Sequence, residues 1–132
     1  MVESKTVRLL PILGAMLTAG IIFYLSSLPN DPVPQIDIPL KAIAYHFLIF
    51  FLFAIFLIGS IKNPGKDTTI ALILLSLWYA ATDEFHQLFV PGRVASAKDW
   101  AIDGLGILTA NILYFIRFKS PNKSKKQCAT SH

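Results

Sequence analysis

The chain has 132 residues, of which 54% are hydrophobic and 15% charged, with a formal net charge of +4. That length holds one domain, and the apolar excess, against roughly a quarter charged residues in soluble domains, excludes an ordinary water-soluble globule. The single cysteine, Cys128, excludes an internal disulfide or a thiolate zinc site, and the basic residues flank apolar runs instead of interleaving with aromatics, which argues against a nucleic-acid surface.

Leu9 to Asn30 is a run of 22 uncharged residues, and Ala42 to Ile61 a run of 20. Each matches the roughly 20 residues that cross a hydrocarbon core, so spans are expected at about 9–28 and 41–61. The first exceeds the apolar core of a secretory signal, about 7 to 15 residues, and is read as retained. Asn30-Asp31-Pro32-Val33-Pro34 breaks the chain after it, and Asn63-Pro64-Gly65 turns the chain after the second span. Beyond that turn, Thr68 to Thr82 offers only 15 uncharged residues and Gly104 to Ile116 only 13. Both reach spanning length only with acids inside, giving spans at 68–90, with Asp83 and Glu84, and 99–118, with Asp99 and Asp103. A charge at the centre of a membrane helix costs about 2.5 to 3.5 kcal/mol on insertion scales, so such acids face a protein interior and mark function. Residues 119–132 are polar and lysine-rich, expected to form a basic, disordered cytoplasmic tail.

The fold class is therefore all-α: one domain over residues 1–118, an integral membrane bundle of four transmembrane helices. Nine basic residues on one side (Lys5, Arg8, Lys62, Lys66, Arg117, Lys119, Lys123, Lys125, Lys126) against three on the other (Lys41, Arg93, Lys98) place both termini in the cytoplasm. Whichever way round it sits, Ser26, Ser27, Lys41, His46, Asp83, Glu84, His86, Gln87, Asp99 and Asp103 gather at one membrane face.

Helical geometry sorts these residues. Ser76, Ala80, Asp83 and Gln87 share a narrow stripe that should face the bundle interior, with Trp78 nearly opposite. Glu84 and His86 flank that stripe about 160° apart, so both cannot point at its centre. Asp99, Asp103, Gly106 and Ala110 repeat at helical spacing, the small residues permitting close approach of a neighbouring helix and bringing the acidic stripes together. Ser96-Ala97-Lys98-Asp99 fits a capping box, a role Asp99 can combine with function. His46 shares a face with Ile49, Phe50 and Phe53, which suits a packing residue as well as a functional one. Pro91-Gly92 fits the centre of a type II turn that holds Arg93 over the site. The guanidinium matches either a phosphate or a carboxylate of Asp83, Glu84 or Asp99. Oxygen-rich ligation of magnesium, calcium or manganese is open, no zinc-protease spacing is present, and no cofactor is specified.

Ser26-Ser27-Leu28-Pro29, a His early in the second span, and Asp83-Glu84-Phe85-His86-Gln87 running to Pro91-Gly92-Arg93, then Ser96, Asp99 and Gly106, together resemble the VanZ-like family of small bacterial and archaeal membrane proteins. The resemblance runs from about Ile22 to Ile116 and implies a compact helix bundle in the cell membrane with its polar motif at one end. It implies action on lipid head groups or lipid-linked cell-wall precursors, the founding member being associated with teicoplanin resistance. Two positions depart from the family pattern: Lys41 lacks a preceding Asp and His46 follows it by five positions instead of three, and Asp103 stands where the family often has Asn.

Two functions follow as expectations. The first is an enzyme acting on a phosphate-linked lipid head group at the outer leaflet, with Asp83, Glu84, Asp103 and His46 as catalytic candidates and Arg93, Gln87, His86, Ser96 and Asp99 holding substrate. The second is a non-catalytic protein binding an amphiphile, a lipoglycopeptide antibiotic or a partner protein. Membrane lipids are the expected partners under the first, and the sequence specifies neither a metal nor an oligomeric state.

Overall fold

The computed structural model describes residues 7–29 and 39–118, which form four helices: α1 (Leu9–Ser26), α2 (Pro39–Gly59), α3 (Lys66–Gln87) and α4 (Ala97–Phe118). The expected chain break at 30–34 and the basic tail at 119–132 lie outside the described residues. Among the described residues, extended pairing is confined to one antiparallel bridge, Val7 with Ile61. Beside it Arg8 N–H donates to Ser60 O at 2.8 Å, tying the start of α1 to the end of α2.

Three helices, α1, α2 and α4, are long and apolar enough to cross a membrane. At 22 residues, or about 33 Å, α3 matches them in length but not in apolarity, because it spends its buried face on Thr69, Ser76, Asp83, Glu84 and Gln87. Its exposed face is Leu74, Leu75, Trp78 and Phe85. The same inversion holds on α1, which buries Ala15, Thr18, Ile22 and Ser26 and exposes Leu10, Leu13, Met16 and Leu17. A soluble monomer does not expose so continuous an apolar perimeter. Helices in lipid do, since burying a leucine gains little when the solvent is as apolar as the side chain, and small or hydrogen-bonding residues hold the interfaces instead.

The core joins Ala15 and Ile22 of α1, Phe50, Phe53 and Ala54 of α2, Ala80 of α3, and Ile107 and Ala110 of α4. The α2–α4 interface is the most extensive. There Gly106 lies so close to α2 that a Cβ would collide with Phe47 O and come within 3.1 Å of Phe51 N. Two indole or phenol groups add cross-links: Tyr79 donates from its hydroxyl to Ala19 O at 2.7 Å, and Trp100 from Nε1 to Leu77 O at 3.3 Å.

Both described turns follow from local chemistry. Asn63 adopts a left-handed φ of 52°, which asparagine tolerates, and the chain then enters α3 through Pro64-Gly65. Gly92 has φ 76° and Arg93 N–H returns to Val90 O at 3.1 Å, the hydrogen bond and glycine conformation of a type II turn. This turn shortens the third helix relative to expectation: α3 ends at Gln87 and residues 88–90 are already turning. Asp83 is thus one helical turn, about 6 Å, from its helix end, and nearer the rim than a span reaching Val90 would place it.

Candidate functional site

The rim formed by the end of α1, the start of α2, the end of α3 and the start of α4 carries the polar residues. Their distribution is set by which helix each side chain meets. Asp103 has no exposed surface and its Oδ1 lies 2.9 Å from His46 Nδ1, a buried pair across the α2–α4 interface. It is the only ion pair among the described residues. The bond occupies Nδ1, and among the described residues no hydrogen bond engages Nε2 of the ring. Asp103 Oδ2 is buried without a partner. The Gly106 contact one turn further along α4 is what brings the helices near enough for this pair. The two positions that depart from the family pattern, His46 and Asp103, are therefore partners.

Asp83 lies on the buried stripe of α3 with Ser76, Ala80 and Gln87, as helical geometry requires, and Trp78 is 70% exposed on the far side. Gln87 Nε2 donates to Asp83 Oδ2 at 3.0 Å, an i to i+4 bond that fixes the carboxylate. Asp83, Gln87, His46, Arg93, Ser26 and Tyr45 line one small cavity of about 10 Å³, room for a single water molecule.

The two flanking residues of α3 diverge. Glu84 turns toward α4, where its Oε2 accepts from Ser96 N–H at 2.8 Å, while Oε1 is buried without a partner. His86 turns toward α1, 3.0 Å from Ser27 Oγ and packed against Phe23 with the rings tilted by 30° and their centroids 4.8 Å apart. His86 thus packs at the α1–α3 seam and is not among the residues lining the cavity.

The capping box at the start of α4 is half present. Ser96 Oγ accepts from Asp99 N–H at 3.3 Å, as the N-cap should. The reciprocal bond to the Ser96 amide comes from Glu84 instead of Asp99, so a residue from another helix completes the cap. The Asp99 carboxylate is left for other partners. One ligating atom from each of His46, Glu84 and Asp99 lies within 4.8 Å of the others.

Arg93 does something that sequence reasoning did not anticipate. Its Nη2 donates to Leu25 O at 2.8 Å and its Nε to Leu28 O at 3.2 Å. At the end of α1, Leu25 O otherwise receives only the 3.3 Å turn bond from Leu28 N–H, and a cation there also meets the negative end of the helix dipole. Among the described residues no carboxylate is within ion-pair distance of Arg93. The backbone oxygens had no signature in the side-chain pattern, so this partner was invisible to it. Tyr45 was missed as well: it lines the cavity and meets the His46 ring edge-on at 5.4 Å. Its one signal was a phenol adjacent to His46, within two helical turns of the start of the span. A third omission is Asn111, buried two turns beyond Asp103, which donates to Ile107 O at 2.8 Å and leaves Oδ1 without a partner.

The arrangement offers three chemical capacities at one rim: an imidazole oriented by a buried carboxylate, a second carboxylate held beside a water-sized cavity, and a guanidinium two of whose nitrogens are committed to backbone. The VanZ/LLP1 family model matches residues 18–119, which include all four helices except the first turns of α1. No curated protein and no solved structure matches the chain.

Proposed function

The chain belongs to the VanZ/LLP1 family, and on that premise we propose that it is a multi-pass protein of the cell membrane that acts on a phosphate-linked lipid head group or lipid-linked envelope precursor. In this reading all four helices span the bilayer, residues 1–118 form a single domain, and both termini are cytoplasmic. The polar rim then lies at the outer leaflet, at the depth of head groups. The observation that carries the proposal is the convergence of Asp83, His46 and Arg93 on one cavity, with Asp103 behind His46 and Gln87 behind Asp83. Carboxylates at that depth in a helix bundle face the interior at a cost that function explains.

Asp83 serves as general base for a water or an acceptor hydroxyl, its carboxylate aligned by Gln87. His46, its ring fixed through Nδ1, presents the opposite edge to the reacting group. Arg93 retains Nη1 for a phosphate oxygen while its other nitrogens hold α1 in place. Glu84 and Ser96 shape the mouth of the site, and Asp99 approaches it from α4. Reaction is transfer or hydrolysis at the phosphate. The test is a lipid profile of cells expressing wild type or Asp83→Asn, with membrane insertion verified for both. A changed profile that reverts in Asp83→Asn is expected. Coinciding profiles with both proteins folded would refute enzymatic action.

A non-catalytic reading draws on one specific observation: Arg93 and Glu84, two of the candidates, already hold the fold together through backbone bonds. A protein that binds an amphiphile, an antibiotic or a partner would use the same rim without turnover. Under that reading Asp83→Asn leaves any drug-tolerance phenotype intact.

A further inference from the structure

We propose that His46, Glu84 and Asp99 form a binding site for one divalent metal ion, with Asp103 orienting the histidine. Each ligand comes from a different helix, α2, α3 and α4, and one ligating atom of each lies within 4.8 Å of the other two. Ligands on a common ion at about 2.1 Å sit about 3 to 4 Å apart, so rotamer-scale adjustment closes the triangle.

An acidic cluster alone would not require an ion. The independent sign here is Glu84, whose side chain belongs to the triangle, is 7% exposed, and has a buried Oε1 with no partner. A buried carboxylate oxygen without a hydrogen bond is costly unless a ligand completes it. The histidine points the same way. Its Nδ1 lies 2.9 Å from Oδ1 of the fully buried Asp103; a carboxylate only accepts, so a neutral ring paired with it carries its proton on Nδ1 and leaves the lone pair of Nε2 for a ligand. Carboxylate, histidine and metal in series is the usual second-sphere arrangement of metal sites. Charge gives a third reason. Glu84, Asp99 and Asp103 gather with His46, while the cation Arg93 is turned to the carbonyls of Leu25 and Leu28. A surface groove lined by Ala81, Glu84, Ala95, Ser96, Ala97 and Trp100 gives an ion access to Glu84.

One imidazole and two carboxylates leave coordination positions open for water or a phosphate oxygen, and this donor set suits Mn²⁺ or Zn²⁺ better than the all-oxygen cage preferred by Ca²⁺. The inference deepens the reading above, with the ion standing between His46 Nε2 and the reacting group, and rests on it only for what the ion would act upon.

The test uses the full-length protein purified in detergent, stripped with a chelator and titrated with Mn²⁺ while the signal of the free aqua ion is followed by electron paramagnetic resonance. Zn²⁺ is then added as competitor. One Mn²⁺ per chain, displaced by Zn²⁺, is expected. Glu84→Gln and Asp99→Asn should each weaken binding at least tenfold, and Asp103→Asn by about 10- to 100-fold through the histidine. Asp67→Asn, in the first turn of α3 far from the rim, should bind as wild type does. Should Glu84→Gln unfold through loss of its bond to Ser96, Asp99→Asn decides, because Asp99 is only half-buried and its backbone cap persists. Wild type that takes up neither metal stoichiometrically, or Asp99→Asn that binds as tightly as wild type, overturns the proposal. The measurement needs no lipid, so its failure leaves the lipid-processing reading standing, and an unchanged lipid profile leaves the ion site standing.

Discussion

Replacing Gly106 by alanine tests whether close helix approach builds the polar rim. A Cβ at this position collides with Phe47 O and lies 3.1 Å from Phe51 N and 3.3 Å from Phe47 C, all backbone of α2. Backbone atoms cannot swing aside as a side-chain tip can, so α2 and α4 must part by about 1 Å to reach ordinary contact near 3.5 Å. Overpacking of this kind costs about 1 to 3 kcal/mol, offset by about 0.5 to 1 kcal/mol from alanine's better helix propensity. Phe47 adjoins His46 in sequence and Gly106 follows Asp103 by one turn, so the separation also stretches the 2.9 Å His46–Asp103 bond beyond hydrogen-bond range. Losing that buried bond adds about 1 to 3 kcal/mol, for a net destabilisation of about 1 to 5 kcal/mol. The assay is unfolding in mixed micelles of mild and denaturing detergent, followed by fluorescence of Trp78 and Trp100. Gly104→Ala is the control, since its Cβ would sit 3.5 Å from Leu77 Cδ2, and Gly20→Ala meets nothing within 4 Å. Both should match or exceed wild type. Gly106→Ala as stable as Gly104→Ala would refute the claim that backbone contact sets the α2–α4 spacing.

Further outcomes follow from the same geometry. A double-mutant cycle with His46→Phe and Asp103→Leu should give a coupling of about 1.5 to 3 kcal/mol, the range for a buried hydrogen bond to a charged group; additive single mutants would mean the pair is not formed. Ser96→Ala should cost about 1 kcal/mol in the same unfolding assay, because it removes the N-cap oxygen but leaves the Ser96 amide bonded to Glu84. A loss within error would show that the cap is dispensable. Arg93→Ala should destabilise by about 1 kcal/mol, and Arg93→Lys should recover less than half of it, since an ammonium lacks the fork that reaches both Leu25 O and Leu28 O; full recovery by lysine would mean that charge alone matters. In a Cys128→Ser background, a membrane-impermeant thiol reagent should label Ala95→Cys in intact cells and Lys62→Cys only after lysis. The opposite pattern would invert the orientation.

The amino-acid sequence by itself determined the helices and their polar faces, because both are one-dimensional properties of the chain. Apolar run length set α1 and α2, and spacing at 3.6 residues per turn placed Asp83 with Ser76, Ala80 and Gln87, and Asp103 with Gly106 and Ala110. It also required Glu84 and His86 to part, and one meets α4 while the other meets α1. Only the tertiary structure decided who meets whom. Helical periodicity gives a residue's angle about its own axis but not which neighbour occupies that angle. The pairing of His46 with Asp103 depends on the α2–α4 contact at Gly106, and completion of the α4 cap depends on Glu84 arriving from α3. Arg93 illustrates the limit most directly: its partners are backbone carbonyls, which every residue carries and which become available only where a helix ends beside it.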